Sequence, residues 1–199
     1  MSTKEKILEC ALTLFSERGY VAVSVRDIAR AVGVRESALY KHFQNKQAIL
    51  DEIVTLAKEK MDAFYGDLYR KYEQEDEWGD MVPVIEKKDF ESICMELFLF
   101  MQNDKIVSAF GKILVMEQYH NEELARMFHN LWIDRPVEYI SHALSVMITN
   151  RELIKMDSYV LAMEFYSPIF MLQFRYDRAE KAFPILLTHI TNFIQIYAK

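Results

Sequence analysis

The chain has few of the residues that interrupt or cross-link secondary structure. Its 199 residues include five glycines, four prolines and two cysteines. Because glycine and proline mark turns between strands, their scarcity and the lack of alternating apolar runs argue against a β-sheet and predict a nearly all-α fold. Cys10 and Cys94 lie far apart and lack the spacing of a metal site, which is typical of a protein in a reducing cytoplasm.

Long hydrophobic runs are also missing. The N-terminus has no charged start followed by an apolar segment and a cleavage site, so secretion is not expected. The longest stretch without Asp, Glu, Lys or Arg, residues 182–198, is interrupted by polar residues such as Thr188 and Asn192. A membrane span needs about 20 mostly apolar residues. We therefore predict a cytoplasmic protein that does not contact a membrane.

The sequence also lacks the usual signatures of catalysis. It contains no glycine-rich phosphate loop and no nucleophile motif. Glu117 and His120 have the spacing of a di-iron ligand pair, but such a site needs a second Glu-x-x-His pair, and the sequence has none. We predict no enzyme activity, no cofactor and no bound metal.

The charges are divided unevenly along the chain. Residues 1–50 hold eight Lys or Arg against five Asp or Glu, a net charge of +3, whereas residues 51–199 hold sixteen against twenty-five, a net charge of −9. A basic segment attracts phosphate and an acidic one is repelled by it. The distribution therefore favours DNA binding by the N-terminal part, although the whole chain carries a net charge of −6.

One stretch of the N-terminal part predicts a helix-turn-helix. Ser24 suits a helix N-cap, with Asp27 three residues later as in a capping box. Gly33 can adopt the left-handed conformation that ends a helix. A second short helix then opens at Arg35 and turns Leu39 inward, which leaves a polar and aromatic face outward.

These residues and the helix before them carry a resemblance to a known family. The residues concerned are Leu14-Phe15, Arg18-Gly19-Tyr20, Ser24 to Ala29, Gly33-Val34, Leu39 to Phe43, Asn45-Lys46 and Ile49-Leu50. Together they resemble the DNA-binding motif of the tetracycline-repressor (TetR) family of one-component transcriptional regulators. The resemblance implies a helix-turn-helix DNA-binding domain over residues 1–46 and a helical ligand-binding and dimerisation domain over residues 47–199.

The outward side chains of the motif suit the major groove of DNA. Arg26 and Arg35 have the fork geometry that pairs with a guanine edge, and Glu36 can accept a hydrogen bond from a cytosine amino group. Tyr40 and His42 suit phosphate oxygens. The predicted DNA-binding residues are Ser24, Arg26, Arg35, Glu36, Ser37, Tyr40, Lys41, His42 and Lys46.

The rest of the chain predicts further helices. A helix over residues 3–18 braces the motif, and Asn45 caps a long connecting helix that ends near Tyr72. The acidic residues 73–80 predict a loop. Later helices are predicted over residues 89–101, 104–119, 121–148, 157–176 and 178–197, and the third of these is either bent or restarted near Pro136.

Aromatic and methionine residues either line a pocket or fill an ordinary core in the C-terminal part. Thirteen Phe and eleven Met suit the adaptable walls of a pocket for an apolar or aromatic molecule. Glu164 is the only Asp, Glu, Lys or Arg between Asp157 and Arg175, and it is either a group that recognises a cation or an ion-pair partner at a subunit contact. The predicted ligand-binding residues are Phe64, Met95, Phe98, Met116, Tyr119, Phe128, Trp132, Met163 and Glu164.

These features together predict a homodimeric repressor of transcription. The resemblance implies that the last two helices pair with their copies in a second chain, and two recognition helices about 34–36 Å apart then read a palindromic DNA operator. A small-molecule effector would change the separation of the two reading heads. The alternative is a helical adaptor without sequence-specific DNA binding.

Overall fold

The computed structural model describes residues 2–75, 77–78 and 81–199. The chain divides into two compact units, the first formed by Met1–Asp62 and Lys105–Phe128 and the second by Ala63–Asp104 and His129–Lys199. The domain boundary predicted between residues 46 and 47 stays a prediction.

Helices make up most of the described residues. In chain order the elements are α1 Thr3–Arg18, α2 Val25–Val32, α3 Glu36–Leu39, α4 Lys46–Lys71, β1 Glu73–Glu75, β2 Met81–Pro83, α5 Lys87–Asn103, α6 Lys105–Glu117, α7 Glu122–Phe128, a π-helical turn His129–Asp134, α8 Arg135–Thr149, α9 Ser158–Arg175 and α10 Ala179–Tyr197. Because β1 and β2 are only three residues long, the predicted all-α fold is confirmed.

In the first unit, α1 packs against α2 and α6. Ser2 caps α1, since its hydroxyl accepts a hydrogen bond from the Glu5 backbone N–H and its own N–H donates to the Glu5 carboxylate. Ile7, Ala11 and Phe15 are fully buried on one face of the helix. The helix predicted over residues 3–18 is therefore confirmed.

In the second unit, α8 packs along α9, and α5 contacts both α9 and α10. The core here is aromatic. The ring centroids of Phe90 and Phe165 are 5.0 Å apart, and those of Phe165 and Phe193 are 4.6 Å apart. All three side chains are buried, so they hold α5, α9 and α10 together.

The prediction of a loop over residues 73–80 is wrong for its first three residues. Glu73–Glu75 forms the strand β1, which pairs antiparallel with β2, with Glu73 opposite Pro83 and Glu75 opposite Met81. The pairing of the two strands depends on backbone hydrogen bonds, and β1 has no buried apolar face. The sequence of β1 therefore lacks the alternation of apolar and polar residues that would predict a strand. Residues 76, 79 and 80 of the predicted loop lie outside the described residues.

The interruption predicted near Pro136 is confirmed. The helix α7 ends at Phe128, the π-helical turn follows, and α8 begins at Arg135 with Pro136 in its first turn. Proline is tolerated at this place because the first backbone N–H groups of a helix have no partner within it.

Candidate nucleic-acid interface

The first helix of the motif is capped as the sequence predicts. The Ser24 hydroxyl accepts a hydrogen bond from the Asp27 N–H at 3.2 Å, and the Asp27 carboxylate accepts one from the Ser24 N–H at 2.9 Å. Hydrogen bonds from the Ser24 hydroxyl and N–H hold the pKa of Asp27 below its ordinary value. Gly33 ends α2 with φ of 79°, in the left-handed region. Both ends of α2 are therefore fixed by residues that lie next to them in the sequence.

The second helix presents a polar face. The helix α3 is short, and Leu39 and Phe43 are buried beneath it. The predicted residues Ser24, Arg26, Arg35, Ser37, Tyr40, Lys41 and His42 are exposed, and Glu36 and Lys46 are half-buried. Half of the Tyr40 surface is accessible, although it is a large aromatic residue. The fold therefore brings most of the predicted DNA-binding residues to the surface of the first unit.

An ion pair links the two helices of the motif. The Arg26 Nε donates to the Glu36 Oε1 at 2.9 Å, and the Arg26 side chain is largely exposed, whereas that of Glu36 is half-buried. The pair directs the Arg26 guanidinium along the surface between α2 and α3. The sequence predicts that each residue reads a base by itself, and it gives no indication of this pairing.

The Lys46 ammonium group is directed at the protein backbone. Its Nζ donates to the carbonyl oxygens of Tyr20 at 2.7 Å and Val23 at 2.8 Å, and it lies 4.1 Å from the centroid of the Tyr20 ring. Burial lowers the pKa of Lys46. The residue thus fixes the turn before α2, while its predicted phosphate contact stays a prediction.

Glu117 fixes the same turn from α6, and sequence reasoning missed this role. Its buried Oε1 accepts a hydrogen bond from the Tyr20 N–H at 2.7 Å. A Cβ on Gly19 would lie 3.0 Å from that oxygen, and the Gly19 φ of 82° disfavours any side chain there. The sequence offered a signal, since Glu117 is an acidic residue that closes an apolar run, but it gave no indication of the partner.

The predicted ligand-binding residues of the second unit differ in their exposure. Phe98 and Trp132 are buried, Met95 is half-buried, and Phe64 stacks on Phe100 with a centroid distance of 4.0 Å. Met163 and Glu164 are exposed. The Glu164 carboxylate accepts a hydrogen bond from the Tyr197 hydroxyl at 2.7 Å.

Three predicted ligand-binding residues belong to the first unit. Phe128 is buried and Met116 is half-buried, whereas Tyr119 is 85% exposed. The prediction of a pocket lined by the full set stays a prediction.

A surface groove in the second unit involves other residues. Its volume is about 590 Å³, and it lies between the start of α5 and the end of α10. The lining residues are Lys87, Lys88, Glu91, Ile190, Thr191, Ile194 and Gln195. None of the predicted ligand-binding residues is among them.

The last two helices expose apolar side chains. The large hydrophobic residues concerned are Tyr159, Val160, Met163, Met171 and Phe174 on α9 and Ile185, Leu187 and Ile196 on α10. Across the described ranges, no helix is both long enough and apolar enough to cross a membrane. We call these eight residues the α9–α10 apolar face.

A capped helix-turn-helix with an outward row of cationic, hydroxyl and aromatic side chains defines the class of helix-turn-helix DNA-binding proteins. Comparison with known proteins relates the N-terminal segment to a family. Residues 7–53 match the family model described as bacterial regulatory proteins, tetR family. The match spans the helix-turn-helix and less than half of the chain, and it shows that this segment is similar to the TetR family.

Two curated relatives are similar over the N-terminal segment. The HTH-type transcriptional repressor KstR2 of Rhodococcus jostii (strain RHA1) is 41% identical over 71 residues, which are 36% of this chain and 31% of the relative. The negative transcriptional regulator IcaR of the biofilm operon icaADBC of Staphylococcus aureus (strain Newman) is 43% identical over 51 residues, which are 26% of this chain and 27% of the relative. The chain therefore matches less than a third of the length of either relative.

The similarity of fold extends over the whole chain. The structure of the ketosteroid transcriptional regulator KstR2 of Mycobacterium tuberculosis aligns with 100% of this chain and 96% of its own, with a TM-score of 0.69 and 19% identity. At this identity the likeness shows the fold alone.

Proposed function

We propose that the protein is a one-component transcriptional repressor that binds an operator through the α2–α3 surface and leaves it when a small molecule binds. The observation that carries the proposal is the exposed polar face of the motif, in which Arg35, Ser37, Tyr40, Lys41 and His42 are all accessible. A row of this kind suits base edges and phosphates. The similar proteins KstR2 and IcaR are named as a repressor and a negative regulator, which favours repression over activation.

The side chains of this face divide into two roles. Arg35 reads a guanine edge, because its side chain is exposed at the start of α3 and makes no capping bond there. Arg26 joins it when DNA replaces Glu36 as its partner, and Glu36 is then available to a cytosine amino group. Ser24, Tyr40, His42 and the third N–H of Lys46 bind phosphate and fix the register, and Ser37 and Lys41 serve either role.

A second copy of the chain covers the α9–α10 apolar face. Eight large hydrophobic side chains are exposed on these two helices, and extensive exposed apolar surface is typical of an interaction site. Regulators of the TetR family bind DNA operators, dimerise and bind small-molecule effectors. A two-fold dimer presents two reading helices to successive major grooves, so the operator is a palindrome with half-sites about one helical turn apart.

The effector acts by differential binding. A ligand shifts the protein between its DNA-bound and free conformations only as far as its affinities for the two differ, and near-complete switching from 1:99 to 99:1 needs about 5.5 kcal/mol. The aromatic second unit favours an apolar or aromatic effector. The proposal places the protein in the cytoplasm, where it reaches DNA.

Two other functions are less well supported. An adaptor protein would not need exposed Arg35 and Tyr40 beside a capped turn, and it would ignore operator DNA. An enzyme would need a catalytic constellation. The described residues contain no group of three or more His, Cys, Asp or Glu placed to hold a metal ion, and the relatives are transcriptional regulators.

A reporter assay tests the proposal. The DNA upstream of the protein's own gene is placed before a reporter, and the wild-type chain is compared with Arg35→Ala in the same cells. Repression by the wild type and its loss in the variant are expected. Equal expression with and without the wild-type chain would contradict repression, and raised expression would show an activator.

A further inference from the structure

Two buried side chains of the second unit carry hydrogen-bond donors without partners. Among the described residues, the hydroxyl of Tyr65 on α4 and the Nε2 of Gln173 on α9 have no hydrogen-bond partner, and both residues are more than nine-tenths buried. A buried donor left unsatisfied destabilises a protein, because it loses its hydrogen bond to water and gains none in return. Native proteins rarely keep two such groups in one region without a use for them.

The two donors belong to one cluster. The Tyr166 hydroxyl donates to the Trp132 carbonyl oxygen at 2.9 Å and lies 3.5 Å from the Gln173 Oε1. A hydroxyl has a single hydrogen, so the shorter contact takes it and the Gln173 amide stays poorly bonded at both ends. The pKa of Tyr65 is raised, mainly by burial and to a smaller extent by the nearby Tyr166. The hydroxyl therefore stays neutral and can donate a hydrogen bond.

A positive charge and an unusual backbone complete the cluster. The guanidinium carbon of Arg135 lies 4.3 Å from the centroid of the Tyr65 ring. Arg135 is the first residue of α8, and Trp132 lies in the π-helical turn just before it. π-Helical turns are rare and frequently occur at functional sites.

We propose that Tyr65, Arg135 and Gln173 form the polar end of the effector site and bind the carboxylate of an otherwise apolar molecule. A phenol O–H, an amide N–H and a guanidinium are all donors, and a carboxylate accepts several hydrogen bonds while carrying the complementary charge. The ring of Phe64 contacts the Tyr65 ring, with a centroid distance of 5.6 Å, and suits an apolar or aromatic remainder. This inference rests on the proposed effector binding and names the chemistry of the ligand.

Calorimetric titration of the full chain without DNA tests the site. The probes are phenylbutyrate and phenylbutanol, which differ in the carboxylate. The wild type is expected to bind phenylbutyrate about tenfold or more tightly than phenylbutanol, because hydrogen bonds to a charged group are the stronger ones. Tyr65→Phe should weaken phenylbutyrate binding about tenfold and phenylbutanol binding much less, and Arg135→Gln should remove the preference for the carboxylate.

Tyr139→Phe is the matched control. It removes a hydroxyl from a buried tyrosine that contacts the same ring, and phenylbutyrate binding should stay within about twofold of the wild type. A wild-type chain that binds phenylbutyrate no better than phenylbutanol, including one that binds neither, would overturn the proposal. Equal effects of the two tyrosine substitutions would overturn it as well.

Thermal unfolding of the ligand-free chain gives a second measurement. Because the Tyr65 hydroxyl has no partner among the described residues, Tyr65→Phe should leave Tm unchanged or raise it by a few degrees. A lower Tm would show that the hydroxyl has a structural partner and would overturn the assignment. A carboxylate preference that depends on Tyr65 but leaves DNA affinity unchanged would keep the site and contradict only the proposed switching.

Discussion

The two compact units differ in how completely their buried polar groups are hydrogen-bonded. In the first unit, the Glu117 carboxylate accepts from the Tyr20 N–H and the Lys46 ammonium donates to two carbonyl oxygens. In the second unit, the Tyr65 hydroxyl and the Gln173 Nε2 have no partner among the described residues. The first unit thus holds its reading surface in place with its own side chains, whereas the second has donors available for a ligand.

The exposed faces of the two units differ as well. The first unit exposes arginine, lysine, hydroxyl and imidazole groups around α3, and the second exposes the α9–α10 apolar face. Water solvates the first kind of surface well, and contact with another apolar surface stabilises the second. The difference separates the two proposed partners, which are DNA and a second copy of the chain.

Charging the α9–α10 apolar face should have the largest effect on assembly. Val160 and Met171 are 59% and 57% exposed in the single chain, so lysine at both positions should leave the monomer folded. Burying two unpaired charges in a dimer interface costs several kcal/mol. We expect the dissociation constant of the dimer in analytical ultracentrifugation to rise about 100-fold or more.

Val21→Lys is the control for this comparison. Val21 is 72% exposed in the first unit, outside the α9–α10 apolar face, and the same substitution there should leave the dimer intact. An unchanged dimer in the Val160 and Met171 double variant would remove the assignment of this face to a second copy.

The exposed face of the first unit is tested by Arg35→Ala. Loss of a bidentate guanine contact should weaken binding to the operator by about 1–3 kcal/mol and weaken binding to unrelated DNA much less. Anisotropy titrations against both DNAs measure the difference. Arg30→Ala removes the same charge from an exposed position outside the predicted set, and it should lower both affinities equally. An equal loss for Arg35→Ala would end its base-reading role.

The Glu117 carboxylate, which accepts a hydrogen bond from the Tyr20 N–H, should contribute to the free energy of unfolding. Glu117→Leu leaves the part-buried Tyr20 N–H without its acceptor and should lower the free energy of unfolding by about 1–2 kcal/mol. Glu117→Gln keeps an oxygen at the same place and should lose less than half of that. Urea denaturation measures both, and the comparison between the two units fails if neither variant differs from the wild type.

The smallest expected effect is the pH dependence at the start of α2. The Asp27 pKa is lower in the folded chain than its ordinary value of 3.8, so the folded chain binds fewer protons than the unfolded chain just below that pH. The stabilisation by Asp27 is therefore complete above about pH 4 and is lost as the pH falls through the folded-state pKa. Asp27→Asn should reduce the drop in unfolding free energy between pH 6 and pH 3, and an identical drop in both proteins would show that the cap is not pH-sensitive.

Features encoded within a few residues could be predicted from the sequence. The capping box of Ser24 and Asp27 and the Gly33 stop are local patterns, and the structure has them at the predicted positions. The same holds for Asn45, whose Oδ1 accepts from the Ala48 N–H at 2.8 Å at the start of α4. Helix caps are predictable because their partners lie within one turn.

Features that depend on distant partners could not be predicted. The hydrogen bond from Tyr20 to Glu117 joins positions 97 residues apart, and the cluster around Tyr65 draws on α4, α8 and α9. The exposure of Tyr119 and Met163 was missed for a similar reason, because residue type alone does not tell a pocket wall from an outer face. The hairpin of Glu73–Glu75 has no apolar alternation to reveal it.

Fluorescence anisotropy with the DNA upstream of the protein's own gene tests the central claim most directly. The full chain is titrated against this DNA and against a shuffled sequence of equal length at several salt concentrations. The account predicts tighter binding to the upstream DNA, with an affinity that falls steeply as salt rises because Lys and Arg displace counterions from phosphate. Equal affinity for the two DNAs, or no binding to either at low salt, would contradict it.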